Sequence, residues 1–223
     1  MSPEQKLSLS KTALQSIQGA LRLTIDLHEQ SKITLLSSDI TDQLGETYAT
    51  NAFVRCRQAM FEYSLVRLCA LWDKPTKQPP AELTLPAARW LVDDPEVITL
   101  IKLDFEPHER RLGTKIWCEL KFRRILERTD RILRSDLLER VRNYRSKYLA
   151  HNLTATNLER SKAAALPLPK YLDVTNLLSC TIHIARQLDA NVTGTSYQYG
   201  IYIEQSRICA QAFWLGPKFS GLE

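Results

Sequence analysis

The sequence predicts an all-α protein, a bundle of four to five principal helices with additional short helices. Apolar residues recur at three- and four-residue spacing over long stretches, which is the pattern of amphipathic helices. The 223-residue chain contains seven glycines, too few for the many tight turns of an all-β fold. Prolines and helix-capping residues divide the apolar stretches into separate helices.

The first two helices are long. Apolar spacing from Leu7 to Leu27 predicts a first helix over about 3–30, with Pro3 suited to its first turn. A connector is expected around 37–45. A second helix, apolar on nearly all sides and therefore central, should run from about Ala49 to Trp72-Asp73.

Prolines organise the middle of the chain. After a loop at 75–80, Thr84-Leu85-Pro86 predicts a capped short helix, and Asp94-Pro95 predicts another. We expect Glu106-Pro107 to end that helix, because proline removes an internal hydrogen bond. Apolar positions between Ile116 and Leu133 then predict a long helix with basic residues on its outer face.

A capped helix is expected next, starting at Ser135 and running from Asp136 to about His151. A connector should follow over 154–170, and apolar spacing resumes over 172–188. The residues 197–214 are ambiguous, since their first part alternates like a strand. We favour a helix there because no partner strand is evident.

The length suits a single domain over 1–223. Within it, 1–46 would form the N-terminal helix and connector, and 189–223 a C-terminal extension. No apolar run approaches the ~18 residues of a membrane span. The five cysteines are scattered without a CxxC pair, which fits a reducing, cytoplasmic environment.

Positive charge is concentrated in one stretch. Residues 107–147 contain thirteen Lys and Arg but six Asp and Glu, whereas the whole chain has a net charge of +5. Such a cluster can attract polyanions. It can equally be a solvated helix face with paired charges.

The segment 142–152, which reads Arg-Asn-Tyr-Arg-Ser-Lys-Tyr-Leu-Ala-His-Asn, holds the strongest chemical signal. Histidine exchanges a proton near neutral pH, and arginine presents several donors to phosphate oxygens. On an unbroken α-helix Arg145 and His151 would lie about 120° apart. Either the helix frays before His151, or a second copy of the chain completes the site across a two-fold interface, which we favour.

The remaining polar and aromatic residues of this segment are candidates for supporting roles. Tyr144, Tyr148 and His151 share a helix face and could form an aromatic wall for a base. The same Arg-x5-His spacing occurs at Arg22 and His28, but among apolar neighbours, which indicates a structural histidine there.

The stretch Arg145-Ser146-Lys147-Tyr148-Leu149-Ala150-His151 resembles the Arg-x4-6-His motif of the HEPN superfamily (higher eukaryotes and prokaryotes nucleotide-binding). Its Arg-x-Lys-x-x-Ala-His form, after a long apolar helix ending in Trp72-Asp73, is similar to the abortive-infection branch of phage defence. The likeness covers roughly 47–188. Many members have Asn, Asp or His where this chain has Ser146. Arg142-Asn143 fits that dipeptide better, but eight residues separate it from His151.

The resemblance implies a homodimeric, metal-independent endoribonuclease of a defence or toxin type, with RNA as substrate and an antitoxin protein as a conceivable partner. Arg145 and His151 would be the catalytic pair. The positions carried over in supporting roles are Arg142, Asn143, Ser146, Tyr148 and Asn152, and those in RNA binding are Arg140, Tyr144 and Lys147.

Other chemistries have little support in the sequence. His28, His108, His151 and His183 are far apart, and no HExxH or Cys/His ligand spacing occurs, so neither a metal nor another cofactor is expected. Glycine-rich phosphate loops are also absent from the sequence. Asp73 is better explained as a turn carboxylate before Lys74-Pro75. The alternatives to a ribonuclease are a non-catalytic module binding RNA, a nucleotide or a protein, and a purely structural scaffold.

Overall fold

The computed structural model describes residues 1–77, 80–114, 116–150, 155–162 and 165–216, apart from the Ala150 side chain. Within these ranges it contains ten α-helices, one π-helical segment and no strand, so the all-α prediction is confirmed. The α-helices are α1 Pro3–Leu36, α2 Asp39–Leu44, α3 Tyr48–Leu71, α4 Leu85–Val92, α5 Pro95–Leu112, α6 Glu119–Leu133, α7 Asp136–Tyr144, α8 Asn157–Lys162, α9 Tyr171–Thr193 and α10 Tyr199–Leu215. The π-helical segment is Arg145–Ala150 and continues α7.

Chain contacts group the protein into two compact units. The first comprises Met1–Ala20 and Cys69–Tyr197, and the second comprises Leu21–Leu68 and Gln198–Glu223. The prediction of one domain with 1–46 and 189–223 as its flanking parts stays a prediction.

The first unit is built around α9. Helices α6 and α7 both pack against α9, and α4 packs against α6. The apolar stripe of α6 supplies Phe122 and Leu126, and α7 supplies Leu138 and Val141, all buried. The outer face of α6 consequently carries basic residues such as Arg123, Arg124 and Arg131, as the periodicity predicted.

In the second unit, α2, α3 and α10 share an apolar cluster. Ile40 and Phe53 are buried in it, and the Phe53 and Trp214 rings meet edge to face with centroids 5.5 Å apart. Polar contacts add to this packing: Asp26 accepts hydrogen bonds from the Tyr202 and Ser206 hydroxyls at 2.5 and 2.6 Å. The segment Tyr199–Leu215 is a helix, the interpretation favoured from the sequence, and these contacts hold it within the second unit.

The predicted caps are present. Thr84 accepts a hydrogen bond from the Ala87 amide at 3.3 Å, and Ser135 accepts one from the Leu138 amide at 3.3 Å. Asp94 caps α5 through the Glu96 amide at 2.9 Å. Helices α4, α7 and α5 therefore begin where the sequence indicated.

The prediction that Glu106-Pro107 ends a helix is wrong, since α5 continues through Pro107 to Leu112. Proline deprives the carbonyl four residues earlier, that of Leu103, of its helical donor. Leu103 and Pro107 both lie on the exposed face of α5, where water can satisfy that carbonyl. Other boundaries differ as well: α1 extends to Leu36, the expected connector at 37–45 contains α2, and the expected connector at 154–170 contains α8.

Candidate functional site at the motif helix

The site is organised from the end of α3, where Trp72 is completely buried. Its indole nitrogen donates to the Thr181 hydroxyl at 2.8 Å, and that hydroxyl donates to the Leu177 carbonyl of α9 at 2.6 Å. This chain of two hydrogen bonds fixes Trp72 against α9. The backbone of Trp72 and the following Asp73 are thereby held in a defined position.

Two motif arginines reach this point. The Arg142 guanidinium donates to the Trp72 carbonyl, and the Arg145 Nη1 lies 3.0 Å from the Asp73 Oδ2. Residues three apart lie on the same side of a helix, which explains why both reach the end of α3. The structure therefore brings together Arg142, Arg145 and Asp73. The sequence analysis explained Asp73 only as a turn carboxylate, whereas in the structure it also forms an ion pair with Arg145.

Both guanidiniums are partly buried. Burial lowers the pKa of Arg142, and for Arg145 burial is outweighed by the hydrogen bond and charge of Asp73, so that its pKa is raised. Arginine starts from so high a pKa that both side chains stay positive at neutral pH. The site thus holds two permanent positive charges and one carboxylate.

Cys69 lies in the last turn of α3, three residues before Trp72, and the charges of Arg145, Asp73 and Arg142 act on its thiol. Burial raises the pKa of its thiol to about 12, against the opposing influence of Arg145 and Arg142. The thiol is therefore neutral at physiological pH and unsuited to act as a nucleophile.

The helix geometry changes at the motif arginine. From Arg145 to Ala150 the backbone is π-helical, with hydrogen bonds from i to i+5 in place of i to i+4. The 120° angle expected between Arg145 and His151 assumed an α-helix and does not apply. His151 and Asn152 lie outside the described residues, so their predicted roles stay predictions.

Two motif side chains, Asn143 and Lys147, bind Glu159 of α8 in a polar network. The Glu159 carboxylate, 4% exposed, accepts from Asn143 Nδ2 at 3.1 Å and from Lys147 Nζ at 3.0 Å. It also accepts from the Thr156 and Leu166 amides at 3.1 and 3.2 Å. Hydrogen bonds from these backbone amides, Lys147 and Asn143 lower the pKa of Glu159 to about 2. Asn143 and Lys147 are thereby fixed in a structural arrangement.

The aromatic pair of the motif also forms. The Tyr144 and Tyr148 rings have centroids 5.1 Å apart, and the Lys147 ammonium lies 5.4 Å from the Tyr148 ring centroid. Tyr148 is 45% exposed, which leaves one side of this pair open to solvent. Arg140, the remaining predicted RNA-binding residue, lies 3.2 Å from Asp173 of α9 in an ion pair.

A cavity of about 450 Å³ adjoins Arg142. Arg142, Asn143 and Ser146 form one wall, and Thr156, Asn157 and Arg160 of the α8 region form the other. We call it the motif cavity. Ala155 and Leu158 complete the described lining, so that three of its eight residues are predicted site residues. The five from the α8 region, Arg160 among them, were not identified from the sequence.

The residues that sequence reasoning missed are joined to the motif only by folding. Asp73 is 72 positions from Arg145, and Glu159 is 12 positions from Lys147. The Trp72-Asp73 dipeptide was a visible signal for the former, but nothing in the local pattern marks Glu159.

Across the described part of the chain no group of three His, Cys, Asp or Glu side chains is placed to hold a metal ion. A search of the same residues for a helix long and apolar enough to cross a membrane found none.

Comparison with known proteins identifies a family for this chain. The AbiU2 family model of the HEPN superfamily matches residues 17–213, which include both motif arginines, Asp73 and the residues of the motif cavity. No curated protein and no solved structure matches significantly. Because the match spans most of the 223 residues, the chain belongs to the AbiU2 family of HEPN proteins.

Proposed function

We propose that this HEPN protein is a metal-independent endoribonuclease of a bacterial defence or toxin type. The observation that carries the proposal is the pair of guanidiniums, Arg142 and Arg145, fixed by the Trp72 carbonyl and Asp73 a few residues before His151. Preorganised positive charge is what a phosphoryl-transfer site needs, because charge builds on the phosphate oxygens in the transition state.

In the proposed reaction His151 takes the proton of an RNA 2′-hydroxyl. The 2′-oxygen then bonds to phosphorus, the bond from phosphorus to the 5′-oxygen breaks, and that oxygen takes a proton from solvent. Arg145 and Arg142 stabilise the negative charge on the non-bridging oxygens. The products are a 2′,3′-cyclic phosphate and a free 5′-hydroxyl, so DNA would not be cut.

A homodimer is part of the proposal. Two copies of the motif facing one another would double the positive charge around the RNA backbone and could supply the histidine of one copy to the arginines of the other. An antitoxin protein that covers this surface would then restrain the activity.

A second function, binding of RNA, a nucleotide or a protein without cleavage, is favoured by two observations. Arg145 already has a carboxylate partner in Asp73, and Ser146 occupies a position where many HEPN proteins have a stronger hydrogen-bonding side chain. A module of this kind would bind RNA but release it intact.

A cleavage assay with mixed RNA in EDTA distinguishes the two functions. We expect fragments with cyclic phosphate ends from the parent protein, and a loss of about 100-fold or more for His151→Ala and for Arg145→Ala. His108→Ala, on the exposed face of α5, serves as the matched histidine control and should cut normally. Equal cleavage by the parent and His151→Ala would refute the catalytic assignment, and intact RNA from a well-folded parent would favour the binding module.

A further inference from the structure

The motif cavity has a marked charge asymmetry. Arg142 and Arg160 both line it, and among its described lining residues there is no Asp or Glu. Glu159, the neighbour of Arg160, points its buried carboxylate at Lys147 and Asn143, so that its charge is compensated within the protein. The cavity is therefore positive.

The hydrogen-bond donors of the cavity wall also favour an anionic ligand. Arg142 uses one of the five guanidinium donors for the Trp72 carbonyl. Within the described chain the exposed Arg160 side chain has no ion pair or hydrogen bond, and the Ser146 hydroxyl has none either. In contrast, the Thr156 hydroxyl donates to the Asn143 side-chain oxygen at 2.5 Å and is already engaged. Arginine and serine donors without internal acceptors suit an anionic oxygen ligand.

The wall also indicates which part of a nucleic acid would enter. A cavity of about 450 Å³ lies within the range of small-ligand sites. Proteins recognise unpaired bases by stacking them on aromatic rings, and the described lining contains none: Tyr144 and Tyr148 stack on each other elsewhere on the helix. The lining is suited to a phosphate group.

We propose that the motif cavity binds a backbone phosphate of the RNA strand, adjacent to the phosphate that is cleaved, with Arg160 and Ser146 as its ligands. Arg142 lines the cavity and also donates to the Trp72 carbonyl, next to the Asp73 carboxylate that holds Arg145, and so connects the two sites. The inference rests on the proposed function for the identity of the strand. It assigns α8 a role in binding that the sequence alone did not predict.

A binding assay with 2′-O-methyl RNA tests the subsite separately from cleavage, because this RNA lacks the attacking hydroxyl. Fluorescence anisotropy would compare the parent with Arg160→Ala and Ser146→Ala at several salt concentrations. We expect Arg160→Ala to weaken binding threefold to tenfold and to reduce the salt slope by about 0.7, the value for one lost phosphate contact with a single strand. Ser146→Ala should weaken binding about threefold.

Arg131→Ala is the matched control, since it removes one exposed charge from α6, within the same basic stretch. It should change binding less than Arg160→Ala. Equal effects of the two variants would show diffuse electrostatic attraction and overturn the subsite, as would unchanged binding by Arg160→Ala.

The outcomes distinguish this inference from the proposed function. If the parent cuts no RNA but binds 2′-O-methyl RNA through Arg160, the ribonuclease proposal fails and the phosphate subsite stands. If the parent cuts RNA and Arg160→Ala binds and cuts equally well, the subsite fails and the ribonuclease proposal stands.

Discussion

The Arg145 guanidinium lies 3.0 Å from the Asp73 carboxylate, which the fold brings to it from 72 positions away. Both side chains keep contact with solvent, at 25% and 42% exposure, so the ion pair contributes less than about 1 kcal/mol to stability. The ion pair has a larger effect on the orientation of Arg145, because Asp73 determines where the planar guanidinium points.

Substitution Asp73→Asn should therefore reduce cleavage more than stability. We expect kcat to fall about tenfold or more as Arg145 loses its orientation, with little change in melting temperature. Asp42→Asn, at an exposed position of α2, controls for the lost negative charge. Faster cleavage by Asp73→Asn would show the opposite relationship, in which Asp73 withholds Arg145 from RNA.

The hydrogen bond between Trp72 and Thr181 should contribute measurably to stability. Thr181→Val keeps the shape of the side chain but leaves the buried indole N–H without its acceptor, at a cost of about 1–3 kcal/mol. Thr181→Ser retains the hydroxyl and should cost less. Urea unfolding of the two variants measures the difference. Similar losses for Val and Ser would mean that methyl packing, and not the hydrogen bond, is what Thr181 supplies.

Glu159 predicts a defined pH dependence. Its pKa is lowered from 4.5 to about 2, so the stability that it contributes is fully present above pH 4.5 and is lost as the pH falls towards 2. Glu159→Gln should melt below the parent at neutral pH, and the gap should close across that window. Glu127→Gln, exposed on α6, provides the control. A gap that stays constant down to pH 2 would argue against a charged Glu159.

His28 predicts a dependence in a different pH range. Burial, and then the charge of Lys32, lower its pKa from 6.5 to about 4. Between these values the unfolded chain binds a proton that the folded chain does not, so stability falls by up to about 3 kcal/mol as the pH falls. His28→Gln should flatten this part of the stability profile measured by urea unfolding, and His108→Gln, at an exposed position of α5, is the control. Parallel profiles for the parent and His28→Gln would exclude the effect.

Local sequence signals predicted the helices well. Caps such as Thr84 and Ser135 depend on side chains within three residues, and they mark α4 and α7 at their observed starts. His28 is buried at 3% exposure, in agreement with its interpretation as structural. Pro107 was misread because its effect depends on which face of α5 meets solvent, a property that residue spacing alone does not define.

The candidate site was predicted only in part. The motif gave Arg142, Arg145 and their neighbours, but the roles of Asn143 and Lys147 depend on Glu159, which reaches them through a tertiary contact. Similarly, Arg160 joins the motif cavity only because α8 folds back beside α7. Contacts of this kind leave no periodic trace in the sequence.

The π-helical turn that begins at Arg145 has an evolutionary consequence. Such a turn holds more residues than an α turn, and so it can absorb an insertion while the helix before it stays in register. Lineages could therefore gain or lose a residue between the motif arginine and histidine without repacking α7 against α9. We therefore expect the number of residues between the motif arginine and histidine to vary among related proteins.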